Sequence, residues 1–227
     1  MRRHVAVVVK EDLDRLIGAL IETGLCEDQN FPSIRQLGSN WEVTFSGAEH
    51  VSIGMGDTEY ENVYRELAER RSYNMRLADG GLLQLMYRFD ANHLLQHRLA
   101  FYPSPSLRPF PEEPDAYMYD ELFIDIIRRH IVPFPLRFDF DDREEIHVDI
   151  THPKSHLTLG DIRGCRIPVA GPLTPRWFIE FIVRNFYQDE QYNFAARLPI
   201  HRTRFRSSIT ERERGLIHVQ VPSLMEV

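Results

Sequence analysis

The stretch that decides the fold is residues 133–169, PFPLRFDFDDREEIHVDITHPKSHLTLGDIRGCRIPV. Leu136, Phe138 and Phe140 alternate with Arg137, Asp139 and Asp141. That period of two predicts a strand over 135–141, with one apolar and one charged face. Ile146, Val148 and Ile150 then alternate with His147, Asp149 and Thr151, which predicts a second strand and a hairpin. Pro153 has no N–H to offer a ladder, so a central strand cannot simply run through it. The segment His152-Pro153-Lys154-Ser155-His156 therefore reads as a loop leaving a sheet edge.

Outward from this stretch, helical and extended patterns mix. Leu13, Leu16, Ile17, Leu20 and Ile21 recur at steps of three and four, so residues 1–24 read as a helix ending near Gly24. Val5–Val9 reads either as its first turns or as a short strand. Residues 40–47 read as a strand, and 58–71 as a helix with Thr58 and Glu61 forming a capping box. Residues 73–102 read as a meander with a turn at Asp79-Gly80-Gly81. Five prolines in 103–114 exclude helix and central strand there, which leaves a loop, and 116–130 reads as a helix. Thr174 as N-cap and Pro175 at the first helical position start a helix that runs to about Tyr187. A short helix or loop is expected over 188–204, and a last strand over 215–221. The sum is an α+β fold: a mostly antiparallel twisted sheet with helices packed on one face. We expect 1–227 to form a single domain with a proline-rich loop at 103–114.

Composition narrows the function classes. Over 227 residues the apolar share is 43% and the charged share 27%, as in ordinary soluble globular proteins. A net charge of −7 rules out a whole-protein field drawing in nucleic acid, so any RNA or DNA site must be local. Two cysteines, Cys26 and Cys165, cannot build a disulfide framework, and no run approaches a membrane helix in length. A cytoplasmic location without membrane association is the expectation. There is no phosphate-binding loop, dinucleotide fingerprint, lipase elbow or zincin helix, and no cofactor is expected.

The chemistry-bearing residues concentrate where the reading began. His152 and His156 can share general base and general acid roles near neutral pH. Arg137 and Asp139 would complete the catalytic set, the aspartate orienting an imidazole. Lys154, Ser155 and Arg166 would hold a phosphate. This set suits metal-independent cleavage of RNA, in which the ribose hydroxyl supplies the nucleophile. The competing reading gives the same residues structural work, His152 pinning the turn before Pro153 and Ser155 or His156 capping a short element. His147, Asp149, His152 and His156 are metal-capable types, but the carboxylate–lysine order of restriction-type nucleases is missing, and no metal is assigned. His93 and His97 share a strand face on this reading, with Arg88 and Asp90 nearby. The run His201–Arg214 could form a basic lip, and Cys165 could act as a nucleophile with a histidine as its base.

HPxSHLTLG, CRIPV and PLTPxxFIxFIxxNFY across His152–Tyr187, after the RFDFD strand, resemble a bacterial family of uncharacterised proteins, DUF2290. That resemblance covers most of the chain; it implies a bacterial origin and carries no activity. A looser likeness is to small toxins of the TumE-like type, which combine an Arg/Asp strand with a proline- and histidine-rich loop. Arg137, Asp139, His152, Pro153 and His156 match that outline, with more residues between strand and loop. The reading that follows is a toxin-like or defence-associated ribonuclease acting on RNA or DNA. The alternative is a non-enzymatic, antitoxin-like subunit bound to a protein partner encoded nearby.

Overall fold

The computed structural model describes residues 3–46, 48, 59–105, 134–160, 162, 164–187, 193–200 and 203–222. Helix α1 (Val5–Glu22) begins at His4, whose Nδ1 accepts a hydrogen bond from the Ala6 N–H. Ala6, Val9, Leu13, Leu16, Ile17 and Leu20 are all buried. That stripe keeps the helical step back to residue 6, so Val5–Val9 joins the helix rather than forming a strand. The helix closes at Gly24, whose φ of 74° suits glycine.

Among the described residues there is a nine-stranded antiparallel sheet. Its strands are β1 (Cys26–Gln29), β2 (Ser33–Leu37), β3 (Asn40–Thr44), β4 (Met75–Leu77) and β5 (Leu82–Asp90). They continue as β6 (His93–Tyr102), β7 (Leu136–Asp141), β8 (Ser155–Leu159) and β9 (Ile167–Pro168). The order is β1-β4-β5-β6-β7-β8-β9, with β2-β3 added beside β5. The expected α+β architecture is therefore present.

Alternation sorts the two faces. Leu83, Leu85, Tyr87 and Phe89 of β5 join Leu99, Phe101 and Phe138 in the main core, against α1 and helix α3 (Pro175–Ile182). Phe138 meets Phe178 and Phe181 edge to face, with centroids 6.1 and 5.2 Å away. Each such side chain stabilises the fold by roughly 1.5–3 kcal/mol of burial. Thr174 caps α3 through the Trp177 N–H, with Pro175 in its first turn, and the chain continues as a π-helical turn over Val183–Tyr187. On the opposite face, α2 (Tyr60–Glu69) covers one end of the sheet. Its Val63 and Leu67 pack with Leu82, Ala100 and Tyr102. Among the described residues, no helix covers the other end of that face.

Several expectations are corrected. No strand forms at 146–151. Residues 144–146 make a turn, and Val148 and His152 close a tight loop through N–H···O bonds of 3.1 and 2.7 Å. The hairpin partner of β7 is β8, one segment later. Asp141 draws the chain away from the ladder by accepting the Arg143 N–H. Ile150 sits at φ 74°, a conformation β-branched residues rarely take and one incompatible with a strand. Ser155 and His156 are thus strand residues, and the loop ends at Lys154. At α2, Glu59 holds the N-cap without a side-chain bond, and Thr58 lies outside the described residues. The last segment forms α5 (Glu211–Arg214), followed by a single parallel bridge between Val169 and Val219 in place of a strand. Within 188–204 a four-residue helix, α4 (Phe194–Arg197), is present. Most of the proline-rich segment and the helix expected at 116–130 fall outside the described residues.

Candidate functional site

The open end of the sheet face forms a cleft of about 860 Å³. Register assembles it in rows. Arg98 of β6 pairs with Asp139 of β7, which pairs with His156 of β8. The next row runs Glu42, Arg88, Gln96 and Asp141 across β3, β5, β6 and β7. Because side chains alternate, these polar residues share one face while their apolar neighbours fill the core.

Asp139 is the centre. Its carboxylate accepts from Arg137 Nε at 2.5 Å and from Arg98 Nε at 3.3 Å. The His156 Nε2 lies 3.9 Å from the same carboxylate. His156 is buried, and its Nδ1 lies 2.9 Å from the Pro153 carbonyl oxygen. Nδ1 must therefore donate, which leaves the Nε2 lone pair facing the cleft. Pro153 thus positions a histidine through its carbonyl. Burial pushes the His156 pKa below its ordinary 6.5, against the opposing pull of the Pro153 carbonyl and Asp139. The His152 ring stands edge-on to it at 5.4 Å, and its pKa is lowered by burial and by the Arg166 charge. Both imidazoles are therefore neutral bases at neutral pH.

Five arginines (35, 88, 98, 137 and 166) line the described cleft against three carboxylates, Glu42, Asp139 and Asp141. Five minus three gives a local formal charge of +2, in a chain whose net charge is −7. An anion is the ligand such a lining favours. The Asp141 carboxyl is engaged as well. Burial works against its charge, but Arg143 and Gln96 hydrogen bonds hold it below the ordinary carboxylate range.

The structure brings together His152, His156, Arg137, Asp139 and Arg166, which all line the cleft. Lys154 and Ser155 stand apart. The Lys154 ammonium reaches Asp142 at 3.1 Å and Glu144 at 2.5 Å, and the Ser155 side chain is buried on the opposite parity of β8. Cys165 lines the cleft edge. His93 and His97 do not share a face. A bulge between Arg88 and Phe89 flips the alternation, so His93 is exposed against Asp142 while His97 is buried. Arg212 and Arg214 of the expected basic lip pair with Asp149 and Glu211, and neither lines the cleft. His201 and Arg202 lie outside the described residues.

Arg98, Glu42 and Arg35 escaped the reading of the sequence. Arg98 had a signal: it sits on the polar parity between His97 and Leu99. No local pattern announces Glu42 or Arg35, since pairing of β3 with β5 is what carries them to the cleft.

A potential metal group lies elsewhere: His147, Asp149 and Glu213 place ligand atoms within 4.8 Å of one another. Their atoms already have partners. Asp149 accepts from Thr210 Oγ1 at 2.6 Å and Arg212 at 3.0 Å, and Glu213 accepts from the Thr210 N–H at 2.9 Å. The group acts as a clasp, fastening the 147–149 loop to α5.

Fold and cleft together define an α+β protein with an arginine- and histidine-lined site on an open sheet face. The chain belongs to DUF2290, a family of uncharacterised conserved proteins whose model matches residues 25–221. No curated protein and no solved structure matches it. Among the described residues, no helix is long and apolar enough to cross a membrane.

Proposed function

We propose that the protein is a ribonuclease that cleaves RNA by acid–base chemistry at His156 and His152. The observation that carries this reading is the geometry around Asp139: a neutral histidine with its Nε2 lone pair in a cleft, beside two arginines on one carboxylate. His156 Nε2 takes the proton of a ribose 2′-hydroxyl, and that oxygen attacks phosphorus. The bond from phosphorus to the 5′-oxygen breaks, and His152, protonated under the influence of the bound phosphate, supplies the leaving oxygen with its proton. Arg98 and Arg137 stabilise the charge that grows on the phosphoryl oxygens, and Asp139 stabilises the His156 imidazolium. The products are a 2′,3′-cyclic phosphate and a 5′-hydroxyl. Asp139 and Asp141 are both occupied by arginine and glutamine donors, so the cleft does not present the free carboxylate pair magnesium prefers. A role as a toxin-like or defence-associated enzyme fits this chemistry.

The test is end analysis of a short RNA with one 2′-deoxy position. Cyclic phosphate ends that disappear at the deoxy position support the mechanism. Cleavage at that position, or 3′-hydroxyl products, contradicts it.

A second reading, a non-enzymatic subunit of a complex, draws on apolar side chains in solvent: Ile217 is 95% exposed and Ile200 86%. Co-purification of a stoichiometric partner whose binding is lost in Ile217→Asp would favour it.

A further inference from the structure

The cleft is longer than one phosphodiester needs. We infer that its far end, around Arg88, is a second phosphate subsite, and that the substrate is a single-stranded polynucleotide held through at least two phosphates. This rests on the ribonuclease reading and deepens it.

Arg88 belongs to the row next to the one that carries His156. It lies on β5 and His156 on β8, three strands apart, or about 14 Å at the usual strand spacing. Arg98 and Arg137, which share Asp139 with His156, are the nearer cations, so Arg88 is the next one along the cleft. It is also loosely held. Its one ion pair among the described residues runs from Nε to Glu42 at 3.7 Å, longer than a hydrogen bond, and its side chain is 42% exposed. A guanidinium held this loosely and this exposed can turn to a phosphate, which offers it a charge-assisted pair. Arg98, on the strand between, leans on Asp139 at 3.3 Å and remains 45% exposed, so cationic lining continues from one end to the other.

A single strand suits this cleft. Its volume of about 860 Å³ matches a few nucleotide units. Leu37 and Ile162, 54% and 66% exposed, add apolar surface at its rim where an unpaired base can rest. RNA phosphates that cross from β8 toward β5 would meet Arg137 and Arg98 first and Arg88 next.

The test compares a dinucleotide and a hexanucleotide RNA with the same scissile bond, on wild-type protein, Arg88→Gln and Glu42→Gln. Binding of an all-deoxy hexanucleotide, which offers no 2′-hydroxyl nucleophile, is followed by fluorescence anisotropy over a salt series. Wild type should prefer the hexanucleotide, and Arg88→Gln should reduce that preference about tenfold, with a salt slope smaller by about 0.7. Glu42→Gln should raise hexanucleotide affinity, because it frees Arg88. An unchanged preference and slope in Arg88→Gln, or a wild type that binds both lengths equally, overturns the subsite. Arg88-dependent hexanucleotide binding without cleavage keeps the subsite and removes the ribonuclease reading. Cleavage indifferent to Arg88 does the reverse.

Discussion

Asp139 and His156 face each other across β7 and β8, with the His156 Nε2 3.9 Å from the carboxylate. The gap is too long for a hydrogen bond to the neutral ring, yet close enough to stabilise it once it gains a proton. The same carboxylate anchors Arg98 and Arg137. One aspartate thus ties the position of two cations to the basicity of a histidine. That coupling is available because three adjacent strands place a polar residue in the same row.

The pH profile should reflect this arrangement. Burial lowers the pKa of His156, and burial with Arg166 lowers that of His152, so both lie below the ordinary 6.5. A base that must be neutral and an acid that must be protonated then give a bell for kcat/KM centred below pH 6.5. Asp139 pulls the His156 pKa upward, so Asp139→Asn should move the ascending limb to lower pH. Steady-state rates across a pH series would check both. A bell centred above pH 7 would contradict this assignment.

His97 sets an acid limit on the fold. It is a buried residue of β6, accepts the Leu173 N–H at Nε2, and burial lowers its pKa to about 4. The unfolded chain binds this proton near pH 6.5, while the folded chain resists it down to about 4. Stability is therefore complete above pH 6.5 and falls as pH drops through that window, by roughly 3 kcal/mol in all. Urea unfolding at a series of pH values should show the slope, and His97→Gln should flatten it. A slope unchanged in the variant would assign the loss to other groups.

Thr210 links α5 to the loop that leads to His152. Its hydroxyl donates to Asp149 at 2.6 Å and accepts from the Glu213 N–H, while Glu213 returns a bond to the Thr210 N–H. Thr210→Ala removes the cap and the clasp together and should cost about 1–2 kcal/mol. RNA cleavage should fall several-fold at a temperature where the variant remains folded, because the 147–152 loop loses its anchor. Calorimetry with rate measurements would separate the two effects. An unaltered rate would show that the loop holds its place without α5.

Phe138 stands behind the site. It is 1% exposed and packs edge to face with Phe178 and Phe181. Phe138→Ala should destabilise the protein by about 3–5 kcal/mol. Chemical denaturation gives the value directly; a loss under 1 kcal/mol would mean that the core collapses onto the gap.

Much of this was legible in the sequence because period and chemistry agreed locally. The alternation of 136–141 put Phe138 inward and Asp139 outward, and Thr174-Pro175 marked the start of α3. Local alternation misled at Ile146–Ile150, where a strand-like pattern is consumed by a tight loop with Ile150 at positive φ. Ser155–Leu159, which does pair with β7, follows a proline and looked like loop. His93 and His97 were misplaced by one bulge residue, which no composition signals. Glu42 and Arg35 reach the cleft only through the pairing of β2 with β3 and of β3 with the distant β5, and that information resides in no single segment.

The most direct test is cleavage of a mixed single-stranded and folded RNA, with and without EDTA, by wild type and by a folded His152→Ala/His156→Ala variant. The account predicts cleavage that survives EDTA and is lost in the variant. Cleavage abolished by EDTA, or retained by the variant, would contradict acid–base catalysis at these histidines.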